Sequence, residues 1–258
     1  MTPGEATTLL RGDPLRHIVT LKMLSAYGAA MQLRFAEDDS GWALVSELPL
    51  GAFPYDAATY GTSGLAVLVD GTSAPLKLSL LQALPRQFLV VKTYDAVVQR
   101  YATAEWGAEH VATFLSFTTD TAFAEDPSVK RSTDLSMEAA KLFASNGYTD
   151  QELWRAFDNG ACWFGVQRDE QLASACFVFQ NFDRVWEIAG VATEPAFRRQ
   201  HLAATVVRSA VNHLIALKRL ARYQVAADNV ASVQLARAAG LHEFIRIEHH
   251  VVAKARAR

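Results

Sequence analysis

Cysteine is nearly absent from this chain. Cys162 and Cys176 are the only two in 258 residues. Neither has a CxxC-type neighbour, so neither a disulfide framework nor a cysteine zinc site organises the fold, and no metal is implied. Each lies in an apolar run, ACWFGVQ and LASACFVFQ, where a buried free thiol is the expectation rather than a disulfide. Also missing is any uninterrupted apolar run near the roughly 18 residues that a membrane span requires. Charge of one sign is missing too. Lys+Arg 25 against Asp+Glu 27 leaves a net charge of -2, which argues against a general nucleic-acid binder. The opening MTPGEATTLLRGDP has no basic start followed by an apolar block. It does not read as a signal peptide, and a cytoplasmic protein with no membrane partner is expected.

What is present is an ordinary globular composition, half apolar and one-fifth charged. The length suits one large domain or two small ones. The best boundary is the polar, acidic stretch Thr118–Pro127, which divides the chain into 1–125 and 126–258. In the first half a helix is expected over Asp13–Ala29, with Asp13 as N-cap and Pro14 at the first helical position. Short apolar runs lie at Met31–Phe35, Trp42–Leu48 and Gly64–Val69, and strands are expected at Phe88–Thr93 and His110–Phe117. Helices are expected at Ala74–Leu84 and Tyr94–Ala104. No catalytic motif stands out there.

The second half parses more sharply. Strand Val129–Ser132 precedes helices Ser136–Asn146 and Asp150–Asn159. A hairpin of Ala161–Gln167 and Leu172–Gln180 follows, then strand Arg184–Val191 and a long helix Leu202–Arg219. Strand Tyr223–Ala227, helix Ser232–Ala239 and strand Glu243–Val252 close the chain. On the long helix Val206, Val207, Ala210, Val211, Leu214 and Leu217 share one face. His249 and His250 are adjacent in a strand and point to opposite faces, one expected in the core and the other exposed.

The chemistry concentrates in Val191–Ala204, VATEPAFRRQHLAA. A strand runs through a Pro-containing turn and two arginines into a helix, whose first N–H groups are unpaired and carry partial positive charge. Arg198 and Arg199 are either solvated charges or anion ligands. Cations at a helix start oppose the dipole, which favours an anion there.

The element order, with RRQHLA at this junction, resembles the GCN5-related N-acetyltransferase (GNAT) family. Its Arg/Gln-x-x-Gly-x-Gly/Ala signature binds the pyrophosphate of acetyl-CoA through backbone amides. The matching residues here are Arg198, Arg199, Gln200, His201, Leu202 and Ala203, with His201 at the first glycine position. His201 either contacts phosphate or fills the turn. Asn229–Leu241, NVASVQLARAAGL, resembles the family's second motif through Asn229, Ser232, Leu235, Gly240 and Leu241. The usual tyrosine of that motif is replaced by Ala236. The resemblance implies an α/β (more strictly α+β) fold with a mixed, mostly antiparallel sheet over 126–258. Before it comes a divergent α/β half that could be a degenerate repeat, a cover for the acceptor side of the cleft, or a dimer surface; the first two are compatible, and a cover is expected. The layout and the T-x-P-x-x-R-R-x-x-L-A loop are most similar to two-part bacterial acetyltransferases related to the zwittermicin A resistance protein.

The implied co-substrate is acetyl-CoA, held by Val191, Thr193, Arg198, Arg199, Gln200, His201, Leu202, Ala203, Ala204, Asn229 and Ser232. Asn229 is either a cofactor contact or a helix N-cap. The implied reaction is acetyl transfer to a primary amine of a small molecule. Glu187, the one ionisable side chain in WEIAGV, is the candidate base, or else a carboxylate paired to an arginine. Trp163, Phe164 and Trp186 read as core, with a pocket wall as the other use. The competing functions are a non-catalytic acyl-CoA sensor or interaction module, fed by His201 and Ala236, and a protein acetyltransferase.

Overall fold

The computed structural model describes residues 1–85 and 87–253. The chain forms two compact units, one of Met1–Phe114 with Ile245–Arg258 and one of Leu115–Phe244. The sequence boundary near residue 125 therefore differs from this division. The difference arises because each unit's sheet includes a strand that the sequence assigns to the other half.

The first unit opens with α1 (Pro3–Leu10) and α2 (Ile18–Tyr27). Strands β1 (Gln32–Asp38) and β2 (Gly41–Pro49) form an antiparallel pair. Next come α3 (Pro54–Tyr60), β3 (Leu65–Gly71), α4 (Ala74–Gln82), β4 (Leu89–Thr93), α5 (Ala96–Trp106) and β5 (Glu109–Thr118). β3 lies antiparallel to β2 and parallel to β4. The last strand of the chain, β11 (His242–Val252), pairs antiparallel with β4 through Glu248↔Thr93 to Val252↔Leu89. Val67, Val69, Val91, Val98 and Leu81 fill the core on one side of this sheet.

The second unit contains β6 (Val129–Ser132), α6 (Met137–Ala144), α7 (Asp150–Asp158), β7 (Cys162–Arg168) and β8 (Gln171–Phe182). It continues with β9 (Val185–Thr193), α8 (Leu202–Ala216), β10 (Leu220–Ala226) and α9 (Val230–Ala238). The strands lie in the order β5-β10-β9-β8-β7-β6. β6 to β9 are antiparallel, and β9 and β10 are parallel. One side of the sheet is covered by α8 and α9, whose Val206, Val207, Ala210, Val211, Leu214 and Ala236 are buried. Ala139, Leu142, Phe143 and Leu153 of α6 and α7 form a separate core with Phe177. The mixed, mostly antiparallel sheet and the element order expected from the sequence are both present.

Several local expectations need correction. The first long helix starts at Ile18, not Asp13, because the Asp13 carboxylate accepts from Arg16 N–H at 3.2 Å and closes a separate turn. The sequence reading omitted α1, although Thr2 and Glu5 form a capping box around it and Pro3 occupies its first turn. It also omitted α3, which begins at Pro54. Leu217 is 46% exposed, since α8 ends at Ala216 before the apolar face reaches it. His249 and His250 are both buried. His249 packs on Tyr60 and Phe114, and His250 on His110, so this strand is covered on both faces.

Candidate active site

The site is built around an irregularity in β9. The register with β8 steps from Ala175↔Ala192 to Phe177↔Ala189, so β9 carries an extra residue there. Gly190 sits in this bulge with φ +61°. A Cβ on it would lie 2.5 Å from the Phe177 ring, so both the conformation and the space require glycine. Asn146, after α6, donates its amide to the Val191 carbonyl at 2.7 Å and ties the loop before α7 to the bulge. In the same loop Tyr148 packs edge-on against Phe177. Burial, and then the Glu187 carboxylate, push its hydroxyl up to about 12, opposed by the Gly190 backbone amide.

β9 and β10 pair in parallel over Leu220↔Val185, Ala221↔Trp186 and Arg222↔Glu187. Beyond that point both strands continue, β9 to Thr193 and β10 to Ala226, outside this register. The pair therefore opens into a slot toward the carboxyl ends of both strands. Glu187 stands where it opens. Its carboxylate accepts from Asn181 Nδ2 at 2.8 Å, Arg222 Nη1 at 2.7 Å and the Gln224 backbone N–H at 3.0 Å. Of the two roles the sequence left to Glu187, the observed geometry includes the arginine pair. Arg222 also reaches Ser116 Oγ at 3.1 Å and is buried.

At the far end of β9 the chain turns through Pro195–Phe197 into the loop before α8. Arg198 is extended and donates its Nε to the Thr193 carbonyl at 3.3 Å. Arg199 and His201 both adopt left-handed backbone, with φ of +64° and +60°. His201 thus takes the conformation that a glycine usually supplies, and histidine is among the side chains that tolerate it. As N-cap of α8 it makes no side-chain capping bond, and no acidic residue lies in the helix's first turn. Thr205 N–H pairs with His201 carbonyl at 3.1 Å. The amides ahead of it belong to the group that an α-helix leaves without intrahelical partners. Arg198, Arg199, Gln200 and His201 are exposed, while Leu202 and Ala204 anchor the loop in the core.

The second motif lies on β10 and α9. Asn229 accepts from Ser232 N–H at 3.1 Å and so acts as an N-cap. Ser232 Oγ meets the Tyr223 hydroxyl at 2.6 Å. Burial raises Tyr223, with Ser232 opposing. Ala236, one helical turn after Ser232, is fully buried. Thr193 joins Ser174 through a hydroxyl contact of 2.9 Å. Trp163, Phe164 and Trp186 are buried among core residues. Cys162 and Cys176 are buried free thiols, and burial pushes both up.

Residues 131–241 match the acetyltransferase (GNAT) family. These residues form a GNAT acetyltransferase domain. The bulged strand, the split strand pair and the open helix start all lie within it. No curated protein matches the chain. Among solved structures it is similar to a GCN5-related N-acetyltransferase from Kribbella flavida, at 14% identity and TM-score 0.56, covering 92% of this chain and 95% of that one. It is also similar to a GCN5-related N-acetyltransferase from Sphaerobacter thermophilus, at 13% identity and TM-score 0.51, covering 81% and 76%. These likenesses concern the fold. The match supports acetyl transfer by this domain, with acetyl-CoA as acetyl donor. Sequence reasoning missed Tyr148, Asn181 and Arg222. Arg222 was detectable, because an arginine inside the apolar strand LARYQVA requires a buried carboxylate.

Proposed function

We propose that this protein transfers acetyl directly from acetyl-CoA to a primary amine of a small molecule. The observation that carries this reading is the uncapped start of α8 beside two exposed arginines, at the mouth of a split strand pair. Helix-start amides and two guanidinium groups together suit a pyrophosphate. The slot between β9 and β10 suits the pantetheine arm, whose amides can pair with strand backbone. The thioester then lies near the Gly190 bulge, where strand amides can polarise its carbonyl. The attacking amine delivers its proton to solvent rather than to Glu187, whose oxygens already accept from Asn181, Arg222 and Gln224. A free thiol has a pKa of roughly 8.5, so CoA leaves tolerably without a dedicated acid in place of the missing tyrosine. A cytoplasmic location belongs to the same reading and is supported by the two free thiols.

Calorimetric titration with acetyl-CoA tests the cofactor part. Micromolar binding is expected, and an Arg198→Ala, Arg199→Ala variant that stays folded loses it. Unchanged binding by that variant removes the phosphate loop from this role. CoA-thiol release against a panel of small amines tests the acceptor. Ala236 in place of the usual tyrosine favours a second reading, a cofactor sensor, which predicts tight binding with no turnover on any amine.

A further inference from the structure

We infer that Glu187 is a positioning residue, a wedge that ends the pairing of β9 and β10 and so opens the slot. This rests on the acetyltransferase reading for what enters the slot, but the strand geometry stands independently.

The parallel register stops at the Arg222↔Glu187 pair itself. In a continuing ladder the Gln224 N–H would donate to a carbonyl of β9. Instead it donates to Glu187 Oε1 at 3.0 Å. A side chain of β9 has taken the hydrogen bond that its backbone would otherwise make. With that donor satisfied, β10 has no unpaired amide at this position drawing it back to β9. The other oxygen, Oε2, is fixed by Arg222 at 2.7 Å and Asn181 at 2.8 Å, one on β10 and the other on β8. The carboxylate is thus held from both flanking strands. The Gly190 bulge begins three residues later and widens a separation already begun.

The arrangement is not an efficient means of stabilisation. Asn181 Oδ1 and Arg222 Nε are buried without partners among the described residues. Buried ion pairs commonly contribute no more than well-packed apolar side chains of similar volume. An apolar pair here would leave the Gln224 amide to find a β9 carbonyl, closing the slot. The position of the pair, rather than its strength, is what the fold uses.

The test uses the full chain and two variants. Glu187→Leu with Arg222→Leu removes both charges together and leaves neither buried alone, whereas Glu187→Gln keeps the shape. A crystal structure of the double variant is expected to show β9–β10 pairing continued past residues 187 and 222. If the pairing still ends there, the proposal is overturned. CoA itself, titrated by calorimetry, is expected to bind the double variant at least about tenfold more weakly. For Glu187→Gln the KM for acetyl-CoA rises while kcat at saturation and the pH profile stay near the wild-type values. If instead CoA affinity is unchanged and kcat falls by about a hundredfold or more, with the acid limb of the pH profile altered, Glu187 is the base and the wedge role fails. Should the double variant not fold, Glu187→Gln decides: its amide turns donors toward Asn181 and Arg222, and an unchanged KM for acetyl-CoA overturns the wedge. A wild-type protein that does not bind CoA would overturn the acetyltransferase reading, with the strand register still deciding the wedge.

Discussion

His201 shows how a single residue can depart from a family pattern without losing the pattern's geometry. The left-handed region costs an ordinary side chain on the order of 1 kcal/mol, and histidine bears it better than branched residues. His201→Gly is therefore expected to leave stability within about 1 kcal/mol of wild type, relief of strain being offset by unfolded-state entropy. Acetyl-CoA affinity is expected to stay equal or rise. A clear loss of affinity in calorimetry would show that the imidazole, not the backbone, makes the contact. His249 carries a different cost. Burial, then Lys92, His250 and His110, hold it down at about 3, and Tyr60 hydroxyl lies 2.6 Å from its Nδ1. The unfolded chain binds a proton here near pH 6.5, the native chain only near pH 3. This contribution to stability is thus complete above about pH 6.5 and declines as pH falls toward 3. The urea midpoint should fall across that window, and His249→Phe should flatten the slope. An equal slope in both proteins would assign the effect to other groups.

At the scale of elements, β9 combines two departures from a regular strand, the carboxylate at Glu187 and the bulge at Gly190, and leads into the turn at Pro195. Gly190→Ala places a methyl against Phe177 in left-handed backbone. A loss of roughly 1–3 kcal/mol in denaturant unfolding is expected, with a weaker acetyl-CoA interaction; wild-type stability would mean that Phe177 moves freely. Much of this element level was legible in the sequence. Val129–Ser132 is a strand with the bounds expected, and the helix expected from Ser136 begins there, with Ser136 as its N-cap, because turn and cap chemistry is local. The proposed phosphate loop stands out in the sequence because an anion site requires backbone and charge at fixed spacing. The bulge and the end of the β9–β10 register were not, since both depend on which residues face one another across strands. Likewise, Glu187 was visible as an ionisable residue in an apolar strand, but nothing in WEIAGV names Arg222 as its partner.

At the scale of the molecule, two runs of elements along the chain share an order: two helices, three strands, helix, strand, helix, strand, with α3 added in the first and β6 standing before the second. They differ where the chemistry lies. At the β3–α4 junction Ser73 Oγ accepts from Leu76 N–H, and the Thr72 and Ser73 amides donate to the Trp42 carbonyl. The corresponding helix start in the first unit is thus capped by its own side chain, and no pair of arginines stands there. The boundary also matters for engineering. Leu115 and Phe117 of β5 belong to the buried core of the second unit, and Ser116 receives Arg222. A fragment starting at about Asp126 lacks them. It is expected to lose cooperative unfolding, read by circular dichroism during thermal melts, where a fragment starting near His110 retains more of it. A fully cooperative, active 126–258 fragment would show the strand to be dispensable.

The placement of β11 bears on how the chain is made. Domains generally fold as they emerge during synthesis, the amino-terminal one first. Here β4 waits for a strand that follows the whole second unit in the chain. The first unit to leave the ribosome is therefore the last to be completed. Until that strand emerges, β4 presents an open edge to the cell, the kind of surface that chaperones cover and that other nascent chains can pair with.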